Sequence, residues 1–180
     1  MLTITKSIAI PQNVQITVNN LSLAKELTVQ KGSIVRTYKL YRHLSILVDQ
    51  DQITIGFTGD DRLAKQHINT AYSIIRSCMI GLEKEFTKEL VMKGVGYKAS
   101  VTDNQLVMNV AFCHPVVLDI PKHVSVRCPS PTEINVSSPF KDFATSFASV
   151  IRLTRKANVY QGIGIRYKDT PLKLKAIKKK

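Results

Sequence analysis

The order of the predicted elements most constrains the fold, because several short strands followed by one amphipathic helix occur twice along the chain. In the first half, alternating apolar and polar residues predict strands. They cover residues 14–20, 26–32, 33–40, 44–49 and 52–57. Residues 58–79 then change to a helical period, with Asp60 as a natural N-cap and Gly81 as the end signal.

The second half follows the same order. The segments FTKELVMKGVGYKASV, QLVMNVAF, PVVLDIP, VSVRC and EINV predict strands, and Asp103-Asn104 predict a turn between the first two. A helix is predicted over SSPFKDFATSFASVIRLTR, with Ser138 as its cap and Pro139 at its first position. Its apolar stripe predicts packing against a sheet.

The two halves also match in detail, since the predicted helices end in SIIR and SVIR. We therefore predict an α+β protein made of two similar small domains, each an antiparallel or mixed sheet packed on one helix, arising from an internal duplication. The domains are expected at residues 1–81 and 82–180, the second carrying a basic C-terminal arm. The alternative is one mixed domain whose strands happen to alternate.

Positive charge is concentrated at the C-terminal end. The chain has a formal net charge of +13, and residues 152–180 contain ten Lys or Arg and a single acid, Asp169. Such a concentration predicts an anionic partner, with nucleic acid favoured over a membrane surface. No apolar run approaches the ~18 residues of a membrane span, and the N-terminal sequence is not typical of a secretory or import signal. Three cysteines without a CxxC pair favour a reducing compartment.

Motifs for catalysis are weak. Residues 94–99, GVGYKA, fit a dinucleotide-binding pattern, but the following residues predict a strand, and that motif requires a helix. The same stretch lacks the second aromatic of an RNA-recognition module, and Tyr97 is as consistent with a core position as with RNA contact. Cys113-His114 have no partners at metal-ligand spacing. We therefore predict a protein that is not an enzyme and uses no cofactor or metal.

The cations near the C-terminus exceed what helix capping requires. Arg152, Arg155 and Lys156 fall at the end of the second predicted helix, where the helix dipole favours one or two cations. Phosphates would relieve the mutual repulsion of the whole set, and release of counterions would favour binding. The last three lysines, 178–180, are also consistent with a solvated tail. A polybasic membrane contact through Lys173, Lys175 and these lysines is the alternative.

Four segments together resemble the large-subunit ribosomal protein L-six family. They are SCMIGLEKEFTKELVMKGVGYKA, AFCHPV, CPSPTEI and GIGIRY, followed by a lysine-rich end, in the order and spacing of the family over residues 77–180. The resemblance implies two α+β domains and a structural role in the large ribosomal subunit. It also implies binding to rRNA near the sarcin–ricin loop, close to the docking region of translational GTPases, with other large-subunit proteins as neighbours.

The motif positions of the family and the concentration of cations together predict which residues bind RNA. The expected rRNA-binding residues are Lys93, Tyr97, Lys98, Arg152, Arg155, Lys156, Gly162, Gly164, Arg166, Tyr167, Lys168, Lys173 and Lys175. The two glycines are expected to let the backbone approach RNA closely. Gln161 and Ile163 replace two cations of the family pattern. This drift, with many Ile, Asn and Lys, favours the mitochondrial matrix over a bacterial cytoplasm. Neither a membrane contact nor a homo-oligomer is expected.

Overall fold

The computed structural model describes residues 3–11, 14–20, 24–32, 34–41, 43–49, 52–58 and 62–176. It divides into two compact units, Met1–Glu83 (unit 1) and Lys84–Lys180 (unit 2). Both units combine antiparallel strands with one helix. The three cysteines are free thiols. No described helix is long and apolar enough to cross a membrane.

Unit 1 contains two three-stranded sheets and one helix. One sheet has the order β1-β6-β5 and the other β2-β3-β4. The strands are β1 (Thr3–Ala9), β2 (Gln15–Asn20), β3 (Ala24–Lys31), β4 (Ile34–Tyr41), β5 (Leu44–Val48) and β6 (Gln52–Thr58). Helix α1 (Arg62–Glu83) contacts the first sheet, and fully buried Ile53, Ile55 and Ile75 form part of the core.

Two expectations for unit 1 need correction. Strand β1 was not predicted, although it pairs with β6 along its whole length, from Thr3 opposite Thr58 to Ala9 opposite Gln52. Gly81 does not end α1, because the helix continues to Glu83 and buries both Gly81 and Leu82. Packing therefore outweighs the low helix propensity of a single glycine. The expected cap Asp60 lies outside the described residues.

Unit 2 contains a three-stranded and a four-stranded sheet. Their orders are β10-β9-β8 and β11-β12-β7-β13, and both sheets are antiparallel. The elements are β7 (Phe86–Lys93), β8 (Lys98–Thr102), β9 (Gln105–Asn109), β10 (Val116–Asp119), β11 (Ser125–Ser130), β12 (Glu133–Ser138), α2 (Lys141–Thr154) and β13 (Gly164–Tyr167). Asp103 and Asn104 both have positive φ, which confirms the predicted tight hairpin turn.

The start of α2 differs from the prediction. Ser138 is buried at the end of β12, where its hydroxyl donates to the carbonyl of His123 and accepts from the amide of Phe140. The helix begins at Lys141 with Phe140 at the N-cap, so Ser138 and Pro139 precede the helix. The apolar stripe is confirmed by buried Ala144, Phe147 and Ile151, and buried Ala148 extends it.

The strand orders confirm the predicted fold class. In each unit the first, sixth and fifth strands form the sheet that contacts the helix, and the second, third and fourth form a separate meander. The sets β1-β6-β5 and β7-β12-β11 correspond strand by strand. Strand β13 has no counterpart in this scheme and pairs with the other edge of β7, so it is an addition to unit 2.

Candidate nucleic-acid interface

The C-terminal arm, residues 155–175, is held on unit 2 by backbone hydrogen bonds. Strand β13 pairs antiparallel with β7, from Gly164 opposite Lys93 to Tyr167 opposite Leu90. On its other side, the amide of Ile165 donates to the carbonyl of Arg155. Further along, the amide of Lys175 donates to the carbonyl of Val159 at 3.0 Å. The arm is therefore structured as far as these bonds reach.

Gly162 and Gly164 approach the protein's own chain. At Gly164, with φ +138°, a Cβ would lie 2.5 Å from the Cα of Ala157. At Gly162, with φ +71°, it would lie 3.3 Å from a methyl carbon of Leu174. Both glycines are buried. Close packing within the arm therefore already requires glycine at Gly164, and the expected approach of RNA to the two glycines stays a prediction.

The cations at the end of α2 lie next to aromatic rings. The guanidinium carbon of Arg152 is 5.5 Å from the ring centre of Tyr167, and that of Arg155 is 5.0 Å from the ring centre of Phe112. The Nε of Arg152 is buried and has no acceptor among the described residues. Arg155 and Lys156 are exposed. Cation–π contacts leave the outer N–H groups free to donate to phosphate.

Strand β13 directs its side chains to two faces of the sheet. Ile165 is buried in the core of unit 2, and Tyr167 packs against the same core. Because successive side chains of a strand alternate, Arg166 points to the opposite face of the sheet. Beyond the strand, the ammonium of Lys168 lies 2.8 Å from a carboxylate oxygen of Glu89. The hydrogen bond and charge of Glu89 raise the pKa of Lys168. Lys168 therefore already has an anionic partner, which competes with any phosphate.

The loop between β7 and β8 is flanked by Lys93, the last residue of β7, and Lys98, the first residue of β8, which are both exposed. Between them, Val95 is 98% exposed, whereas Tyr97 is 4% exposed and belongs to the hydrophobic core. The Tyr97 ring covers Gly94, where a Cβ would lie 2.6 Å from a ring carbon. Direct RNA contact by the Tyr97 ring is therefore contradicted by its burial. A strand, β8, follows the glycines, so the dinucleotide-binding interpretation fails as expected.

Lys173 and Lys175 are exposed on the far part of the arm, and residues 178–180 lie outside the described residues. The first part of the arm and the end of α2 together form a concave surface of about 450 Å³. Its lining includes Leu153, Asn158 and Gln161, none of which was predicted to belong to a site. Their proximity depends on the path of residues 156–163, which no local sequence signal specifies.

The exposed cations of the arm and of the end of α2 can bind anions. They surround a strand end, and no group of three His, Cys, Asp or Glu side chains in the described part of the chain is placed to hold a metal. Phosphates spaced along a nucleic-acid backbone can be neutralised by cations distributed in this way.

Comparisons with known proteins give the family of the chain. Residues 93–168 match the family model of ribosomal protein L6. The chain is 33% identical over 175 residues to large ribosomal subunit protein uL6 of Vibrio cholerae, and the alignment covers 96% of each protein. It is 35% identical over 185 residues to uL6 of Fervidobacterium nodosum, covering 97% of this chain and 96% of that protein. A uL6 from Thermotoga neapolitana is 35% identical over 179 residues, with the same coverage.

Proposed function

The chain belongs to the ribosomal protein L6 family, and on this premise we propose that it is a structural component of the large ribosomal subunit that binds rRNA through unit 2. The observation that carries the proposal is the basic arm, which is built into the unit 2 sheet as strand β13 instead of extending as a free tail. A surface fixed in this way loses little conformational freedom when it binds.

The proposed interface is the set of cations around β13 and the β7–β8 loop. Its members are Lys93, Lys98, Arg152, Arg155, Lys156, Arg166, Lys173 and Lys175. Lys168 also belongs to it, but its ammonium forms an ion pair with Glu89. Arg152 and Tyr167 support each other through their ring contact. Buried Tyr97, Gly162 and Gly164 shape this interface from within and are assigned no direct contact.

The family resemblance extends the proposal to the position on the ribosome. We place the protein near the sarcin–ricin loop, at the region where translational GTPases dock, with other large-subunit proteins as neighbours. Chemical footprinting of large subunits that contain or lack the protein tests this placement. Protection confined to rRNA far from that loop would contradict it.

The compartment is a separate question. The mitochondrial expectation depends on composition alone, and the relatives compared above are bacterial and give it no support. The membrane alternative also gains no support from the family. Fractionation of the source cells, followed by sedimentation of the ribosomal fraction with and without liposomes, separates these possibilities.

The first test of the function is sedimentation with the large subunit. We expect the purified protein to sediment with large subunits at moderate salt and to leave them at high salt, because phosphate contacts weaken as counterions accumulate. For rRNA binding itself, replacing both Lys173 and Lys175 with Ala should lower the affinity. The slope of log affinity against log salt should flatten by about 1.4 to 1.8, which is 0.7 to 0.9 for each phosphate that is no longer neutralised.

A matched control comes from unit 1. Lys39 and Lys65 are exposed lysines on β4 and α1, and their replacement with Ala removes the same charge at a distance along the chain from the basic arm. We expect affinity and slope to change little in this control. Equal decreases of affinity in the two double variants would show that net charge alone drives binding and would contradict the assigned interface.

A further inference from the structure

The concave surface at the end of α2 has a composition that phosphate binding alone does not require. Its lining residues are two cations, two aliphatic residues, two residues with primary amides and one threonine: Arg155, Lys156, Leu153, Ile163, Asn158, Gln161 and Thr154. Its volume of about 450 Å³ lies in the range of small-ligand sites and is sufficient for one nucleotide.

We propose that this surface binds a single unstacked nucleotide of RNA, so that unit 2 recognises a base in addition to the phosphate backbone. The inference rests on the proposed rRNA-binding function and adds to it a site with a defined ligand class. Proteins recognise RNA sequence mainly through such splayed bases, whose faces and edges are accessible.

The walls of the site suit the two faces of a base. Leu153 is 50% exposed and Ile163 is 38% exposed, so both have apolar surface that a base would remove from water. The guanidinium of Arg155 is held over the ring of Phe112, with 5.0 Å between its carbon and the ring centre. Arginine planes stack on unpaired bases, and the contact with Phe112 limits the freedom that Arg155 would lose.

The polar groups of the site suit a base edge and a phosphate. Gln161 is exposed, and its amide offers both a donor and an acceptor, the pairing that reads a base edge. Lys156 is an exposed point charge next to Arg155 and suits the phosphate of the same nucleotide. An acidic peptide could pair its backbone with the amides and its carboxylates with the cations, but it lacks the flat base that the guanidinium plane of Arg155 can stack on.

The loop that carries these amides has a defined conformation. The amide of Gly162 donates to the carbonyl of Asn158 at 2.7 Å, and the amide of Asn158 donates to the carbonyl of Ile163 at 2.8 Å. The side-chain oxygen of Asn158 accepts from the amide of Tyr160 at 2.9 Å, which leaves its amide nitrogen as a donor. Recognition groups held in place lose less freedom on binding.

The first experiment is photo-crosslinking from the wall of the site. The photoreactive residue p-benzoylphenylalanine replaces Leu153 in the full chain, which is bound to large ribosomal subunits from the source organism and irradiated. We expect a crosslink to RNA at one nucleotide, mapped by primer extension. Val117 on β10, which is 49% exposed, is the matched control position and should not label that nucleotide.

The second experiment measures affinity for an rRNA fragment that contains the mapped nucleotide. An abasic substitution there should weaken binding of the unmodified protein by about 5- to 100-fold, the range for removal of one stacked or bidentate base interaction. Gln161→Leu should weaken binding to the intact fragment. The abasic substitution should then lower the affinity of this variant by a clearly smaller factor than it lowers the affinity of the unmodified protein. Such non-additivity indicates that the residue and the base interact directly.

The outcomes separate this inference from the proposed function. A protein that does not bind large subunits or their rRNA refutes both proposals. Binding with a crosslink to a protein, with labels scattered over many nucleotides, or with no effect of the abasic change refutes the nucleotide site and leaves the proposed function standing.

Discussion

The two units share their strand order but differ at one sheet edge. In unit 1, β1 forms the edge of its sheet, and no described strand pairs with its outer side. In unit 2 the corresponding strand, β7, is internal because β13 pairs with it. The charges follow the same division. Residues 1–83 contain nine Lys or Arg and six Asp or Glu, whereas residues 84–180 contain seventeen Lys or Arg and seven Asp or Glu.

This difference sets unit 2 apart from unit 1 within one repeated strand order. The helix-packed sheet and the meander supply a stable framework in both units, and the extra strand places a cationic segment at a fixed position on only one of them. The proposed binding surface therefore includes a strand added at an edge of the shared fold, as expected when function depends on residues outside the packed core.

The largest expected effect concerns the glycine at the start of the added strand. Gly164→Ala should lower the free energy of unfolding of unit 2 by about 2–6 kcal/mol, because backbone strain adds to a clash with Ala157. Gly32→Ala in unit 1 is the control: φ is +59° but no atom lies within 4 Å of the added carbon, so a decrease of about 1–2 kcal/mol is expected. Urea unfolding of both variants measures the difference, and equal decreases would contradict the packing described at Gly164.

The next largest effect concerns two isoleucines at corresponding positions of α1 and α2. Ile75 of α1 and Ile151 of α2 occupy the same place in SIIR and SVIR, and both are fully buried. Replacing either with Ala should cost about 2–5 kcal/mol through reduced burial and a residual cavity. Native-state hydrogen exchange should show the destabilisation mainly in the helix that carries the change. Equal loss of protection in both helices would contradict two separately folded units.

The smallest effect concerns the ion pair of the added strand. Since Glu89 raises the pKa of Lys168 above its ordinary 10.5, the pair stabilises the folded state below about pH 10.5, and this contribution is lost as pH rises through the higher folded-state pKa. Glu89→Gln should lower the Lys168 pKa towards 10.5 in an NMR titration. It should also make the slope of log rRNA affinity against log salt concentration steeper by up to about 0.9, because Lys168 becomes available for a phosphate. An unchanged Lys168 pKa would contradict the pairing.

Local pattern was sufficient for most elements and insufficient for their ends. The strand patterns identified β2 to β6 and β9 to β12, and helical periodicity identified both helices. The single interrupted strand predicted over residues 86–101 is two strands, β7 and β8, which lie in different sheets. Strand β1 was missed although the turn-type residues Pro11 and Asn13 follow it. Its pairs form with β6, which lies far along the chain. The predicted ends at Gly81 and Ser138 were wrong because burial and the hydrogen bonds of Ser138 outweighed local preference.

For the candidate site, the sequence located the charge but did not show which side chains are available. Lys93, Lys98, Lys173 and Lys175 are exposed as an interface requires. Tyr97 has the same local appearance as an RNA-contacting aromatic, yet its ring is enclosed by core residues that come from several strands. Such enclosure depends on residues distant along the chain.

By itself, the sequence determined the duplicated α+β plan, the family and the concentration of cations at one end, because periodicity, motif spacing and charge are local properties. Only the tertiary structure decided that β13 completes a sheet, that Gly164 packs on Ala157, that Lys168 is paired with Glu89 and that amides and aliphatic groups meet beside Arg155. These depend on distant segments brought together when the core excludes water, which no local pattern encodes.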